Sequence, residues 1–244
     1  MKPDHHLDFV PSRKRVRVVA NDRTVADSVA TILVLEAGHS PVYYFPRADV
    51  RADLLQASNR RSRCPHKGEA SYWSLDVDGR RVEDAVWSYE QPIEGARQIS
   101  GHLAFYWSKV DRWFEEDEEI FGHPRDPYHR VDVRPSAREV RAVFAGETIA
   151  RSRRALFLFE TGMPTRYYIP QQDVRMDRLA PSATRSVCPY KGDASYWSVE
   201  LGGRSVADAA WSYRDPLPEC PRIAGHICFY PDKLDALEVE GESG

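Results

Sequence analysis

The sequence predicts a mainly β protein made of two tandem, homologous domains, each a small β-sandwich or barrel-like unit, packed together as a pseudo-dimer. Three observations predict this fold. One stretch of sequence occurs twice, short strand patterns alternate with turn residues, and aromatic residues make up 11% of the composition. Aromatic side chains in such number typically fill the core of a β domain, and tyrosine and tryptophan also line pockets that have one polar end.

The duplication sets the architecture. Cys64–Ser74 (CPHKGEASYWS) returns as Cys188–Ser198 (CPYKGDASYWS), 124 residues later (188 minus 64). The same offset aligns Trp87 with Trp211. A repeat of this length is a whole domain rather than a solenoid unit, because about 100 residues can bury a core of their own. A duplicated chain can also form within itself the two-fold contact of a homodimer, which is the basis of the expected pseudo-dimer.

The alignment of the copies predicts five segments. The polar first residues indicate an N-terminal tail. Prolines and aromatic residues between the copies indicate an ordered strap, with no counterpart after the second copy. The predicted segments are a tail (1–14), a first β domain (15–111), a connecting strap (112–138), a second β domain (139–237) and an acidic C-terminal tail (238–244).

The first half of each copy has the pattern of short strands. Arg15–Ala20 alternates charges with valines, which is typical of a strand with one solvated face. A turn at Asn21-Asp22 leads to a second strand at Thr24–Ala26. Thr31–Leu35 and Val42–Phe45 then predict two buried strands.

The second half of each copy contains a hairpin signal. Asp78-Gly79 is typical of a type I′ turn, and Gly202-Gly203 stands in the equivalent place. The remaining predicted elements are a helical turn within Asp49–Ala57, a loop at Cys64–Gly68, hairpin strands at Ser71–Val77 and Arg81–Tyr89, a last strand at Leu103–Tyr106, and a short helix at Ser108–Glu115 that starts from a serine N-cap.

Motifs in both copies resemble one bacterial and fungal family. The motifs, each present in both copies, are Tyr-Tyr-x-Pro-x-x-Asp-Val, Cys-Pro-[Tyr/His]-Lys-Gly, Ala-x-Trp-Ser-Tyr-x-x-Pro and Ile-x-Gly-His. In these motifs the chain resembles the domain of unknown function 427 family, over both copies and the segment between them. The resemblance implies a small, mostly β domain and no activity. A nucleotidyltransferase label is sometimes attached to the family, but this chain has no glycine-rich phosphate-binding loop to support one.

The repeated loop supplies the first candidate site residues. Cys64 and Lys67 stand on either side of a proline turn, and a nearby ammonium lowers the pKa of a thiol and makes it more nucleophilic. The alternative is a small buried Cys64 and a Lys67 that extends along the surface. Lys67 is also suited to bind a carboxylate or phosphate, or to form a Schiff base if desolvated.

Glu36 is the expected counter-charge of Lys67. It ends an apolar strand, where a carboxylate is costly to bury unless it is paired. We therefore predict a Glu36–Lys67 pair that lines a pocket, with surface exposure of Glu36 as the alternative.

Aromatic residues and a histidine complete the candidate site. Side chains alternate along a strand, so we expect Trp87 in the core and Tyr44 and Trp73 on the pocket wall. His102 is a candidate general acid or base, with a structural role as the alternative. In the strap, Arg125 and Asp126 offer anion binding and acid–base chemistry, unless the strap is only a surface segment. The equivalent candidates in the second copy are Glu160, Tyr168, Cys188, Lys191, Trp197 and His226.

Composition excludes several classes of function. A formal charge of −3 and a pI near 6.3 argue against a general nucleic-acid binder. No apolar run is long enough to span a bilayer, so we expect no membrane partner and a cytoplasmic protein. The four cysteines lack disulfide or zinc spacing and are expected to be reduced, and no metal or cofactor is predicted. We expect a monomer with an internal pseudo-two-fold axis or a loose dimer.

The residues predict a small-molecule ligand. In the leading interpretation, a small anionic or carbonyl metabolite is bound or transformed at an aromatic pocket capped by the Cys-Pro-x-Lys-Gly loop. The alternative is a non-catalytic ligand-binding or protein-interaction module. Whether the protein is an enzyme stays open from sequence, and a meeting of Lys67 and Glu36 in one concave pocket is the arrangement that favours the leading interpretation.

Overall fold

The computed structural model describes residues 6–242, which form two compact units divided between Asp126 and Pro127. Each unit is one copy of the repeat and contains a seven-stranded antiparallel sheet and a smaller sheet. The mainly β fold in two homologous tandem domains is confirmed, with open sheets rather than closed ones. The helices described in the two units are short 3-10 turns, none of them long and apolar enough to cross a membrane.

The first copy contains two sheets. Its strands are β1 (Leu7–Pro11), β2 (Val16–Ala20), β3 (Arg23–Ser28), β4 (Ile32–Glu36), β5 (Val42–Pro46), β6 (Leu55–Cys64), β7 (Gly68–Val77), β8 (Arg80–Ser88), β9 (His102–Phe105), β10 (Arg112–Glu115) and β11 (Glu118–Ile120). The large sheet has the order β1-β4-β5-β9-β8-β7-β6, and the small sheet has the order β11-β10-β2-β3. Its 3-10 turns are Arg47–Asp49, Ala52–Leu54, Glu94–Ile99 and Trp107–Lys109.

The two sheets of the first copy enclose its main core. Val16 and Val18 on β2 belong to the same buried cluster as Leu33, Phe45 and Leu75 of the large sheet. Because side chains alternate along a strand, the neighbouring residues on the large sheet face the other way. Val34 and Tyr44 therefore lie in a second, outer cluster, with Ala96 and Ile99 packed over them. The outer face of the large sheet carries the candidate site.

The second copy repeats this plan. Its strands are β12 (Val131–Pro135), β13 (Val140–Phe144), β14 (Glu147–Ser152), β15 (Leu156–Glu160), β16 (Arg166–Pro170), β17 (Leu179–Cys188), β18 (Gly192–Leu201), β19 (Arg204–Tyr213), β20 (His226–Phe229) and β21 (Ala236–Val239). The large sheet has the order β12-β15-β16-β20-β19-β18-β17, and the small sheet has the order β14-β13-β21. The 3-10 turns are Gln171–Asp173, Met176–Arg178, Pro221–Ile223 and Pro231–Lys233.

The predicted hairpin turns are confirmed. Asp78 and Gly79 have φ of 50° and 82°, and Gly202 and Gly203 have φ of 62° and 75°. Positive φ at both central residues defines the type I′ turn, which matches the twist of the flanking strands. The turns join β7 to β8 and β18 to β19.

The N-terminal tail expected over residues 1–14 is wrong for its second half. Leu7–Pro11 forms β1, which pairs with β4 from Leu7↔Glu36 to Pro11↔Ile32. Leu7 and Phe9 pack against the outer cluster, so two alternating apolar side chains outweigh the polar composition around them. Residues 1–5 lie outside the described residues.

The helix expected at Ser108–Glu115 is also wrong. Trp107–Lys109 is a 3-10 turn, and β10 follows it and pairs with both β2 and β11. The Trp113 side chain is 3% exposed in the main core, and this long-range packing overrides the local serine cap.

The predicted strap (112–138) is divided between the two units by strand pairing. Its start belongs to the first unit because β10 pairs with β2, and its last part belongs to the second unit because β12 pairs with β15. β10 does have a counterpart in the second copy, because β21 pairs with β13 in the equivalent place. The C-terminal tail expected from residue 238 therefore begins inside a strand.

Candidate functional site

The Cys-Pro-x-Lys-Gly loop is a tight turn between β6 and β7. Cys64 and Gly68 are opposite each other at the end of the ladder, and the Ile93 amide donates a hydrogen bond to the Lys67 carbonyl at 3.2 Å. Gly68 has φ of +106°, and a Cβ there would lie 3.4 Å from the Gln91 carbonyl oxygen. The glycine thus allows a backbone conformation and a close approach that other residues would strain. The turn directs Lys67 inward rather than to a rim.

Lys67 and Glu36 form a buried ion pair. The Lys67 ammonium donates to the Glu36 carboxylate, and the two side chains are 8% and 15% exposed. In the second copy, Lys191 Nζ lies 2.6 Å from Glu160 Oε2, with side chains 9% and 10% exposed. The structure therefore brings the four predicted charged residues together in two equivalent pairs.

In the second copy a histidine contacts the ion pair. His129 Nε2 lies 3.0 Å from Glu160 Oε1, and its ring stacks on Tyr190 with centroids 4.2 Å apart. Burial acts to raise the pKa of Glu160, but the hydrogen bonds and charges of Lys191 and His129 outweigh it and hold the pKa below the usual value. Sequence reasoning missed His129. The repeat offset was the available signal, because it aligns His129 with His5, which lies outside the described residues.

A pocket of about 650 Å³ opens over the ion pair of the first copy. Glu36, Lys67 and Cys64 contribute to its wall, so the leading loop residues and their counter-charge meet in one concave site. The rest of the wall comes from strand and turn residues of the first unit, both apolar and polar, and from the end of that unit. The lining also includes Val34, His39, Ser40, Pro41, Val42, Tyr44, Arg63, Pro65, Tyr72, Trp87, Tyr89, Phe105, Tyr106, Trp107, Gly122, His123 and Pro124.

The aromatic wall of the pocket follows from strand register. Trp87 is opposite Tyr72 on β7 and Ala104 on β9, and Ala104 is opposite Tyr44 on β5. Residues opposite each other across antiparallel strands share a face of the sheet. Tyr44 and Trp87 therefore lie on the outer face with the pocket. Trp73, one residue further along β7, points to the main core.

Two predictions about the tryptophans are therefore wrong. Trp73 does not line the pocket, and Trp87 does so instead of lying in the core. Trp87 is half-buried, and its indole N–H donates to the Tyr44 hydroxyl at 3.1 Å. The sequence shows that Trp73 and Trp87 lie on opposite faces of the large sheet, since side chains alternate along a strand. It does not show which of the two faces the second sheet covers.

The phenols of the pocket are neutral hydrogen-bonding groups. Burial raises the pKa of Tyr44 well above its usual value, and burial also raises the pKa of Tyr89. Burial raises the pKa of Tyr106 to about 12. Near neutral pH these groups donate or accept hydrogen bonds and do not serve as bases.

Several predicted site residues lie elsewhere. His102 Nδ1 lies 2.8 Å from the Ser100 carbonyl oxygen, and His226 makes the same contact with Ala224 at 2.8 Å. Neither histidine joins the ion pairs, because each ring is held at its own turn. Arg125 and Asp126 are not part of the pocket wall, to which their neighbours His123 and Pro124 contribute.

The equivalent aromatic residues of the second copy are mostly core. Tyr168 and Trp211 are 1% and 6% exposed, and Trp211 Nε1 lies 3.3 Å from the Tyr168 hydroxyl. Trp197 packs against the main core, as Trp73 does in the first copy. Cys188 is half-buried and packs against the outer cluster of this copy. Between residues 6 and 242 no three His, Cys, Asp or Glu side chains are grouped so that they could hold a metal ion.

Comparison with known proteins gives one family and no activity. A family model described as a domain of unknown function (DUF427) matches residues 8–116 and again residues 132–240. Both matches begin at the first strand of a copy and end near its last strand, so each copy is matched over nearly its whole length. No curated protein matches the chain.

Proposed function

Because this chain belongs to the family described as a domain of unknown function (DUF427), whose name specifies no activity, we propose from its site that the first copy binds a small anionic or carbonyl metabolite. The proposed site is the pocket over Lys67 and Glu36. One observation carries the proposal: a buried ion pair forms part of the wall of an aromatic pocket that is open to a ligand.

The chemistry of the ion pair favours binding through hydrogen-bond donation. The Lys67 side chain is engaged as a hydrogen-bond donor to the Glu36 carboxylate, which favours a donor role over that of a Schiff-base nucleophile. The ammonium carries three N–H groups, and Glu36 accepts from it, which leaves donor capacity for a carbonyl or carboxylate oxygen of the ligand. Arg63 adds an exposed cation at the pocket wall, suited to the same acidic group.

The aromatic wall supplies the apolar part of such a site. Ligand pockets typically combine an apolar, aromatic lining with a few polar groups that fix orientation. Tyr44 and Trp87 provide the lining here, and the neutral Tyr89 hydroxyl adds a hydrogen-bonding group. Catalysis would be an extension of this binding site, with Lys67 polarising a carbonyl next to the Cys64 thiol.

A thermal-shift screen with succinate, pyruvate and 2-oxoglutarate tests the proposal, since a ligand that binds only the native state raises its melting temperature. We expect a shift in the wild type that Arg63→Glu abolishes, because a carboxylate at the pocket wall repels an anion. Val187→Glu is the matched control, because Val187 is the equivalent, exposed position of the second copy. If none of the probes shifts the wild type, or if both variants respond alike, the proposal is wrong.

A further inference from the structure

The same aromatic pair stands on the outer face of both copies. Trp87 and Tyr106 have ring centroids 4.5 Å apart at an interplanar angle of 42°. Trp211 and Tyr230 have centroids 4.3 Å apart at 41°. Two copies of one fold thus present the same surface, and what lies against it can be compared directly.

In the second copy an arginine lies against this pair. The Arg166 guanidinium carbon is 5.5 Å from the centre of the Trp211 ring and 5.8 Å from that of Tyr230. A guanidinium at this distance is attracted by the negative face of an aromatic ring. The aromatic pair of this fold therefore accepts a cation.

In the first copy a valine occupies the equivalent position. Val42 begins β5 opposite Val34, as Arg166 begins β16 opposite Leu158. Val42, Trp87 and Tyr106 all belong to the pocket wall. The side chain that covers the aromatic pair in the second copy is thus replaced by a short apolar one, and pocket space lies against the pair.

Two other cations, Lys109 and Arg60, lie near the aromatic pair of the first copy. Lys109 Nζ lies 5.2 Å from the centre of the Tyr106 ring, and Lys233 lies 5.2 Å from that of Tyr230. Each lysine also donates to two backbone carbonyls of its own copy. The lysine contact is the same in both copies and does not distinguish them. The Arg60 guanidinium lies 4.5 Å from the centre of the neighbouring Tyr72 ring and pairs with Asp84, so it does not take the place that Arg166 fills in the second copy.

We propose that the first pocket takes a ligand whose guanidinium or alkylammonium group occupies the place that Arg166 fills in the second copy. The inference rests on the proposed function and adds a cation to the acidic or carbonyl group named there. The charge of Lys67 is balanced by Glu36. Lys109 does not exclude a ligand cation from the aromatic pair, because Lys233 has the same place in the second copy and Arg166 still lies against the pair there. The ligand class is a small zwitterion with its acidic end at Lys67 and Arg63 and its basic end at Trp87 and Tyr106.

Four probes separate the parts of this proposal: arginine, its neutral isostere citrulline, agmatine, which lacks the carboxylate, and succinate, which lacks the cation. Calorimetric titration of the full chain should give arginine an affinity at least about 2-fold, and up to about 30-fold, above that of citrulline, the range of a cation–π contact. This comparison needs no variant. Equal affinities of arginine and citrulline would overturn the inference while leaving the proposed function standing.

Two reciprocal variants locate the cation. Val42→Arg places in the first copy the side chain that the second copy tolerates, and should remove the preference for arginine over citrulline. Arg166→Val is the matched control and should leave that preference unchanged. Retention of the preference in Val42→Arg, or its loss only in Arg166→Val, would overturn the inference. Binding of agmatine without succinate would support the cation site and contradict the anionic part of the proposed function, and binding of none of the probes would overturn both.

Discussion

The two copies share the same sheet and the same central site residues, and they differ in the side chain that lies over the aromatic pair. Both have the glycine turn, the buried lysine–glutamate pair and the tilted tryptophan–tyrosine pair. The second copy lays Arg166 over its aromatic pair, where the first copy has Val42. Because the ion pair is common to both copies, the positions around it that differ between the copies are the guide to which copy takes a ligand.

The tryptophans should give the largest difference between the copies. Trp211→Ala should destabilise the second unit by about 3–5 kcal/mol, the usual cost of removing a buried large aromatic side chain. Trp87→Ala should destabilise the first unit by only about 1–3 kcal/mol, because Trp87 is half-buried against the pocket. Hydrogen exchange of individual peptides, measured in increasing urea, shows which unit has lost stability in each variant. Equal losses would contradict the assignment of Trp87 to the pocket wall.

Removal of the buried lysine should destabilise the two units by similar amounts. Lys67→Met and Lys191→Met each remove a partner from a buried carboxylate, which typically costs about 3–5 kcal/mol. Lysines on the surface usually tolerate such changes, but Lys67 and Lys191 are only 6% and 7% exposed as whole residues, which argues for a structural contribution. The double variant Lys67→Met/Glu36→Gln should recover most of the loss when measured by the same exchange experiment. Single variants as stable as the wild type would show that the pairs contribute nothing to folding.

Replacement of the glycine in the loop turn should destabilise each copy by a smaller amount, equal in the two copies. Gly68→Ala and Gly192→Ala should each cost about 1–2 kcal/mol, because φ is +106° and +96° and the new Cβ approaches a carbonyl oxygen at 3.4 Å in both. Gly95→Ala is the control, since a Cβ there meets nothing within 4 Å. Urea denaturation followed by tryptophan fluorescence measures all three variants. If Gly68→Ala is as stable as the wild type, the turn does accept a Cβ at this position, which would contradict the close approach to the Gln91 carbonyl oxygen.

The smallest expected effect is on acid stability. The pKa of Glu160 is lowered in the folded chain, so its stabilisation is complete above the unfolded value near 4.3 and is lost as pH falls through the lower folded value. Glu160→Gln should therefore flatten the stability of the second unit over this acidic range. Denaturation midpoints between about pH 3 and pH 6 test the expectation, and an unchanged slope in the variant would contradict it.

Sequence reasoning reached the fold class because the repeat and the hairpin turns are local signals. It also reached the Glu36–Lys67 pair, since a carboxylate at the end of an apolar strand needs a partner. It failed at Trp73 and Trp87, because alternation along a strand leaves open which face the second sheet covers. It failed at β1 and β10, whose short patterns become strands only through distant partners. The pseudo-dimeric packing of the two units stays a prediction.

The first and last strands of each copy determine how a single copy can be prepared by recombinant expression. A fragment of residues 15–111, the boundaries suggested by the repeat alone, would lack β1 and β10. It would then present the edges of β4 and β2 with unpaired backbone groups, and such edges promote association with other chains. Because Glu36 lies at the end of β4, aggregation of that fragment would also disturb the candidate site. A soluble and binding-competent single copy should instead extend from before Leu7 to beyond Ile120.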